Sequence, residues 1–193
     1  MSQMRLSVCA GATLACIGAW QIMEGSWIHA KAALADHLMS AAWSETLSSG
    51  KPARPWPWAD TWPVALLQFP SLERIMPVLS GATGATLAFG PGHLDGTAVP
   101  GAPGHSVIAG HRDTSFTILG KLKPGDPIFI QGPDGQWRKY RVTGTAIADS
   151  RVPRRMPSAA RGSTLLTLVT CWPLDSIVPG GPMRYLVIAE GTH

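Results

Sequence analysis

Proline and glycine decide more about what this chain can become than any other residue types. Most of its 21 glycines and 17 prolines fall beyond residue 50. A proline inside a helix removes a backbone donor and clashes with the preceding turn, at a cost of about 3 kcal/mol, so this part of the chain has no room for long helices. Between the breaks lie short apolar and β-branched runs: Arg74–Val78, Ser106–Ala109, Pro127–Gln131, Trp137–Val142, Thr145–Asp149, Thr164–Thr170 and Arg184–Ala189. These are the predicted strands, separated by turns such as Gly90-Pro91-Gly92, Pro124-Gly125-Asp126 and Pro133-Asp134-Gly135, the last a hairpin signal. So many short strands imply a mainly β fold, a closed or nearly closed barrel. Phe116, Leu119 and Leu122, at a spacing of three, predict a short helix over Thr114–Leu122.

The N-terminal part follows other rules. Leu6–Met23 carries no charge and follows Arg5; its roughly 18 residues would reach about 27 Å as a helix, against a hydrocarbon core of about 30 Å. The expectation is a transmembrane anchor over residues 1–24, with the N-terminus in the cytoplasm and the rest exported. A cleavable signal peptide ending near Ala30-Lys31-Ala32 is the alternative, although the apolar run exceeds the usual length of about 7–15 residues. Trp27, Ala30, Leu34, Leu38 and Ala41 then recur at helical spacing, which predicts an amphipathic helix lying on the membrane or packed on its own domain. Ser48–Pro57 reads as a linker. Trp56, Trp58 and Trp62 are expected to dock that linker onto the barrel, with a lipid-interface or ligand-groove role as the alternative. The division is therefore anchor 1–24, juxtamembrane helix and Trp/Pro-rich linker 25–63, and catalytic barrel 64–193.

A length of 193 residues with 45% hydrophobic content suffices for one cored domain. The net charge of +4 is spread over scattered Lys and Arg, so no nucleic-acid partner is expected. Of the three cysteines, Cys9 and Cys16 lie in the apolar segment. Only Cys171 remains for the exported part, which excludes a disulfide framework there.

The run Thr164–Thr170 ends abruptly on that thiol. Trp172, Pro173 and a loop through Pro179-Gly180-Gly181-Pro182 follow, and then Arg184 opens the last strand. Upstream, Ser106–Ala109 leads through Gly110 to His111. Three strand ends thus offer a thiol, an imidazole and a guanidinium. Cysteine attacks as the thiolate, which needs a nearby cation or proton acceptor at neutral pH. Each also has a blander reading: Cys171 as a small core residue, which its place at the strand end disfavours, and, taken alone, His111 as a satisfied core or surface histidine and Arg184 as a surface charge. A metal site from His93, His105, His111 and Cys171 lacks any short paired ligand spacing, so no metal or cofactor is expected. His111-Arg112-Asp113 without a Gly-rich loop and strand lysine does not support phosphoryl transfer.

Thr167-Leu168-Val169-Thr170-Cys171 resembles the Thr-Leu-x-Thr-Cys motif of sortases, membrane-anchored cysteine transpeptidases. Gly110-His111-Arg112-Asp113 resembles the segment bearing their histidine, and Arg184 stands where they carry their arginine. The resemblance covers about Pro77 to Ala189. The linker Pro55–Pro63, the run Leu87–His93 and Cys171-Trp172-Pro173-Leu174-Asp175 are similar to the proteobacterial branch called class GN, and Trp172 after the cysteine departs from many other sortases. The resemblance implies an eight-stranded barrel that cleaves a Leu-Pro-x-Thr-Gly type signal at the C-terminus of an exported protein. Cys171 would form a thioester, His111 would act as acid and base, Arg184 would hold the peptide and oxyanion, and Thr170 would add an oxyanion contact. An amine or water would accept the acyl group, with the catalytic domain on the periplasmic side of the inner membrane. Two other readings stay open: an L,D-transpeptidase-like peptidoglycan enzyme, which would carry its histidine just before the cysteine, and a tethered assembly factor without turnover.

Overall fold

The computed structural model describes residues 2–152, 162–176, 178 and 180–192, with no side chains described at 1–10, 12, 13 and 15. The chain divides into two units, Met1–Leu38 and Met39–His193. One helix, α1, covers Ser2–Ser49 without the break expected between an anchor and an amphipathic helix. In the first unit it is a continuous helix on which Trp20, Trp27 and Leu34 are exposed. Among the described residues no helix is long and apolar enough to cross a membrane, and much of Leu6–Met23 falls where side chains are not described.

In the second unit the last turns of α1 bury a different stripe from the one expected. Met39, Ala42, Trp43 and Thr46, at i, i+3, i+4 and i+7, are buried, while Trp27, Ala30, Leu34 and Ala41 are exposed. Polar anchors fix this face: Trp43 Nε1 donates to Gln131 Oε1 at 3.1 Å, and Thr46 Oγ1 accepts from the Ala53 N–H at 3.0 Å. Gly50 stops the helix with φ of 67°, its N–H donating to the Thr46 carbonyl, a left-handed cap that costs glycine nothing.

The segment after α1 docks before the first strand begins. Thr61 Oγ1 donates to the Ser80 carbonyl at 2.8 Å, Trp56 meets Phe89 edge to face, and Arg54 sits over the Trp62 ring. Trp56 and Trp62 are half-buried as expected of a docked linker, whereas Trp58 is 79% exposed.

Eight strands follow: β1 Pro63–Phe69, β2 Arg74–Ser80, β3 Gly92–His93, β4 Gly104–Ala109, β5 Pro127–Gln131, β6 Trp137–Asp149, β7 Thr164–Cys171 and β8 Met183–Gly191. A short helix, α2 Gly84–Leu87, separates β2 from β3 and is capped by Thr83 Oγ1. The sheet closes as β1-β2-β3-β4-β7-β8-β6-β5, with the two-residue β3 completing the circle between β2 and β4. Pairs β2/β3 and β4/β7 are parallel and the others antiparallel. Ala65, Leu67 and Phe69 alternate inward on β1, meeting Ile128 and Ile130, Leu166 and Leu168, and Val187 and Ala189 in one core.

Several details differ from expectation. The predicted runs Trp137–Val142 and Thr145–Asp149 form one strand, whose ladder to β8 shifts register between Val142 and Gly144 and then continues. Gly90-Pro91-Gly92 is not only a turn, since Gly92 begins β3. Thr114–Leu122 forms turns and a 3-10 stretch at Leu119–Lys121 instead of a helix. Its apolar spacing of three matches the 3-10 repeat, in which residues i and i+3 eclipse.

Candidate active site

Strand β7 delivers Cys171 to one end of the barrel and turns it outward. Leu166 and Leu168 point into the core and Thr170 is buried; since side chains alternate along a strand, Cys171 faces the other way. It is half-buried and free of any disulfide. On β8, Val187 and Ala189 point inward, which places Arg184 on the outer face. Cys171 and Arg184 are direct partners across the β7/β8 ladder, so thiol and guanidinium share one face. The ladder extends one step past the cysteine, where the Trp172 N–H donates to the Met183 carbonyl at 3.0 Å and the Trp172 ring stacks on Tyr185 at 5.6 Å.

His111 arrives from the neighbouring strand. Because β4 runs parallel to β7, both strands end at the same rim, with Ala109 paired to Val169. The Gly110 N–H donates to the Val169 carbonyl at 3.0 Å, and Thr170 Oγ1 donates to the Gly110 carbonyl at 2.7 Å. Two hydrogen bonds therefore pin the residue before the histidine against the residues before the cysteine. Gly110 is required here, since a Cβ would lie 2.7 Å from the Phe116 ring. That ring is fully buried beneath the turn, and its backbone N–H donates to the His111 carbonyl.

All four predicted residues thus gather at one rim, but Thr170 is engaged differently from the expected oxyanion contact. Its side chain is buried and bonded to Gly110. Arg184 spends one Nη on the Gly181 and Met183 carbonyls at 2.7 and 2.9 Å, and its other nitrogens carry no hydrogen bond among the described residues. Its nearest acid by register, Asp149, is taken by Arg151 at 2.6 Å. The Arg151 guanidinium holds the Asp149 carboxyl down at about 2, with Arg184 adding a smaller pull in the same direction. Arg184 therefore remains without an ion pair among the described residues.

Arg112 was not singled out by its sequence context and is the best-buried charge of the site. Only 8% exposed, it donates from Nη1 to the Pro173 carbonyl at 3.1 Å and from Nη2 to the Val178 carbonyl. It follows His111 directly, so its fork ties the histidine turn to the loop that leaves Cys171. Pro179, in that loop, lies outside the described residues. Of the other histidines, His93 bonds the Ala98 carbonyl and Thr97, and His105 bonds Thr167 Oγ1 at 2.8 Å. Among the described residues no three His, Cys, Asp or Glu side chains are grouped to hold a metal ion.

A family model, the sortase domain, matches residues 67–192. Sortase D of Bacillus subtilis (strain 168) is 30% identical over 125 residues, covering 65% of this chain and 62% of that protein. Sortase SrtE1 of Streptomyces coelicolor (strain ATCC BAA-471 / A3(2) / M145) is 34% identical over 126 residues, or 56% of this chain and 36% of that protein. The chain thus spans less than two thirds of the length of these curated relatives. Among solved structures, sortase A from Corynebacterium diphtheriae is similar with a TM-score of 0.61 at 30% identity, covering 70% of this chain and 63% of that one.

Proposed function

This chain belongs to the sortase family, whose members are cysteine transpeptidases, and from that premise we propose that it cleaves a C-terminal sorting signal of an exported protein and passes the acyl group to an amine or to water. The observation that carries this reading is the register that sets Cys171 opposite Arg184 while the parallel β4/β7 pair brings His111 to the same rim. The Cys171 thiolate attacks the carbonyl carbon of the signal's threonine. The tetrahedral intermediate collapses with cleavage of the C–N bond, His111 giving a proton to the departing amine and leaving an acyl thioester on Cys171. The acceptor amine, or water, then attacks the thioester carbonyl and gives its proton to His111. The C–S bond breaks and the thiolate returns. Arg184, without an ion pair among the described residues, donates to the peptide and the developing oxyanion. Thr170 and Arg112 act as positioning residues, holding the histidine turn against β7 and the loop after it.

Anchoring is part of the same proposal. The uncharged run Leu6–Met23 behind Arg5 supports a single-pass inner-membrane protein with its barrel in the periplasm. The linker Pro55–Pro63 and Cys171-Trp172-Pro173 support the proteobacterial class GN. The test of function is to incubate the full chain in detergent with a Leu-Pro-x-Thr-Gly type peptide and an amine, and to sequence the products by mass spectrometry. A new amide at the threonine carbonyl is expected. Recovery of uncut peptide across a panel of sorting signals would leave the fold without the reaction.

A further inference from the structure

Away from the Cys171 rim, a cavity of about 670 Å³ opens where the segment after α1 crosses the connection from β2 through α2 to β3. That is within the range of about 300–1,000 Å³ usual for ligand sites. Its wall is aromatic. Trp56 and Phe89 meet edge to face at 5.4 Å, Phe89 is 44% exposed, and Trp58 presents 79% of its surface to solvent. Such exposure of a tryptophan leaves apolar area uncovered that its two neighbours bury. Asp60 and Asp95 line the same cavity, both exposed and neither with an ion pair or hydrogen bond among the described residues. Among the described residues no lysine, arginine or histidine lines the cavity, although the chain as a whole carries a net charge of +4.

Ring faces attract cations through their quadrupoles, and the two free carboxylates add formal negative charge to the same cavity. A neutral sugar would stack on the rings and donate hydroxyls to the carboxylates but leave their two negative charges without a counter-ion; a lipid chain would be opposed by them. A long basic side chain uses every group, its methylene stem lying along the indole and its head reaching the carboxylates. We propose that this groove binds a polypeptide segment bearing lysine or arginine side chains, with Trp58 and Trp56 as the platform and Asp60 and Asp95 as the counter-charges. In the barrel order β3 and β2 lie two and three places from β7, roughly 10–14 Å around the sheet at the usual strand spacing. Neither Cys171, His111 nor Arg184 lines the groove. The proposal is independent of the transfer reaction and can stand or fall without it.

The experiment is a fluorescence-anisotropy titration of the full chain in detergent with a labelled peptide of three lysines separated by glycines, and with its glutamine counterpart. The lysine peptide should bind, the glutamine peptide should not, and binding should weaken with added salt. Trp58→Ala and the double variant Asp60→Asn with Asp95→Asn should each lose at least about tenfold in affinity. Melting curves should stay unchanged, because all three side chains are exposed. Cys171→Ala should bind as the unaltered chain does, which separates this site from the catalytic one. Equal binding of both peptides, no binding of either, or full affinity in the groove variants would overturn the proposal. Binding of a chito-oligosaccharide in place of the lysine peptide would reassign the groove to glycans.

Discussion

Replacing Thr170 by valine removes one hydroxyl and keeps the shape of the side chain, which makes it the cleanest probe of how this site is assembled. The hydroxyl is buried and donates to the Gly110 carbonyl at 2.7 Å. Valine leaves that buried carbonyl without its donor, at about 1–3 kcal/mol. For a unit of this size each kcal/mol lowers the melting temperature by about 2–4 °C, so a loss of about 2–12 °C is expected. Turnover should fall as well, since Gly110 precedes His111 and the lost bond is one of two that hold it to β7. Thr170→Ser keeps the donor and should restore most of the rate. The assay pairs a calorimetric scan with the rate of thioester formation on a sorting-signal peptide. An oxyanion contact would give the opposite pattern: a large rate loss in valine with an unchanged melting temperature. That pattern would refute the positioning role.

Other expectations follow from the same geometry. Arg184→Lys should lower the rate of thioester formation at least about a hundredfold with little change in melting temperature, because lysine lacks the fork; a near-normal rate would reduce Arg184 to a surface charge. Arg112→Lys should lower both stability and rate, since lysine lacks the planar fork whose two separate nitrogens reach the Pro173 and Val178 carbonyls; unchanged melting and rate would mean that the fork positions nothing. In the β5/β6 hairpin, the Arg138 guanidinium holds the Asp134 carboxyl at about 2, below its ordinary 3.8. The ionised carboxylate therefore adds stability above about pH 4 that is lost as pH falls towards 2, and for an exposed pair the amount is below about 1 kcal/mol. The melting difference between the unaltered chain and Asp134→Asn should accordingly shrink between about pH 4 and 2, and a constant difference would contradict the pairing.

Legibility from sequence tracked how local each signal was. Thr164–Cys171 and Pro133-Asp134-Gly135 declare themselves through composition and turn chemistry. β1 does not, because Val64 and Leu66 are apolar on its outer face while Ala65, Leu67 and Phe69 fill the inner one, so no two-residue alternation is visible. β3 is two residues long and exists only through its partners Leu79, Ser80, Ile108 and Ala109. The helical stripe through Trp27 and Leu34 is a real periodicity, but burial selects Met39, Ala42, Trp43 and Thr46 instead, a choice made by what the last turns of α1 pack on. At the site, the thiol and the imidazole stand out because each ends an apolar run. Arg112 does not, since a cation between a histidine and an aspartate looks solvent-facing until the loop after Cys171 folds over it.

The central claim is that Cys171 carries the acyl group. The direct measurement is the intact mass of the full chain after incubation with a sorting-signal peptide and no added amine. The account predicts an adduct equal to the peptide cleaved after its threonine, mapped to Cys171, removed by hydroxylamine and absent from Cys171→Ala. An adduct on Cys9, Cys16 or a non-thiol residue, or transfer by folded Cys171→Ala protein, would contradict it.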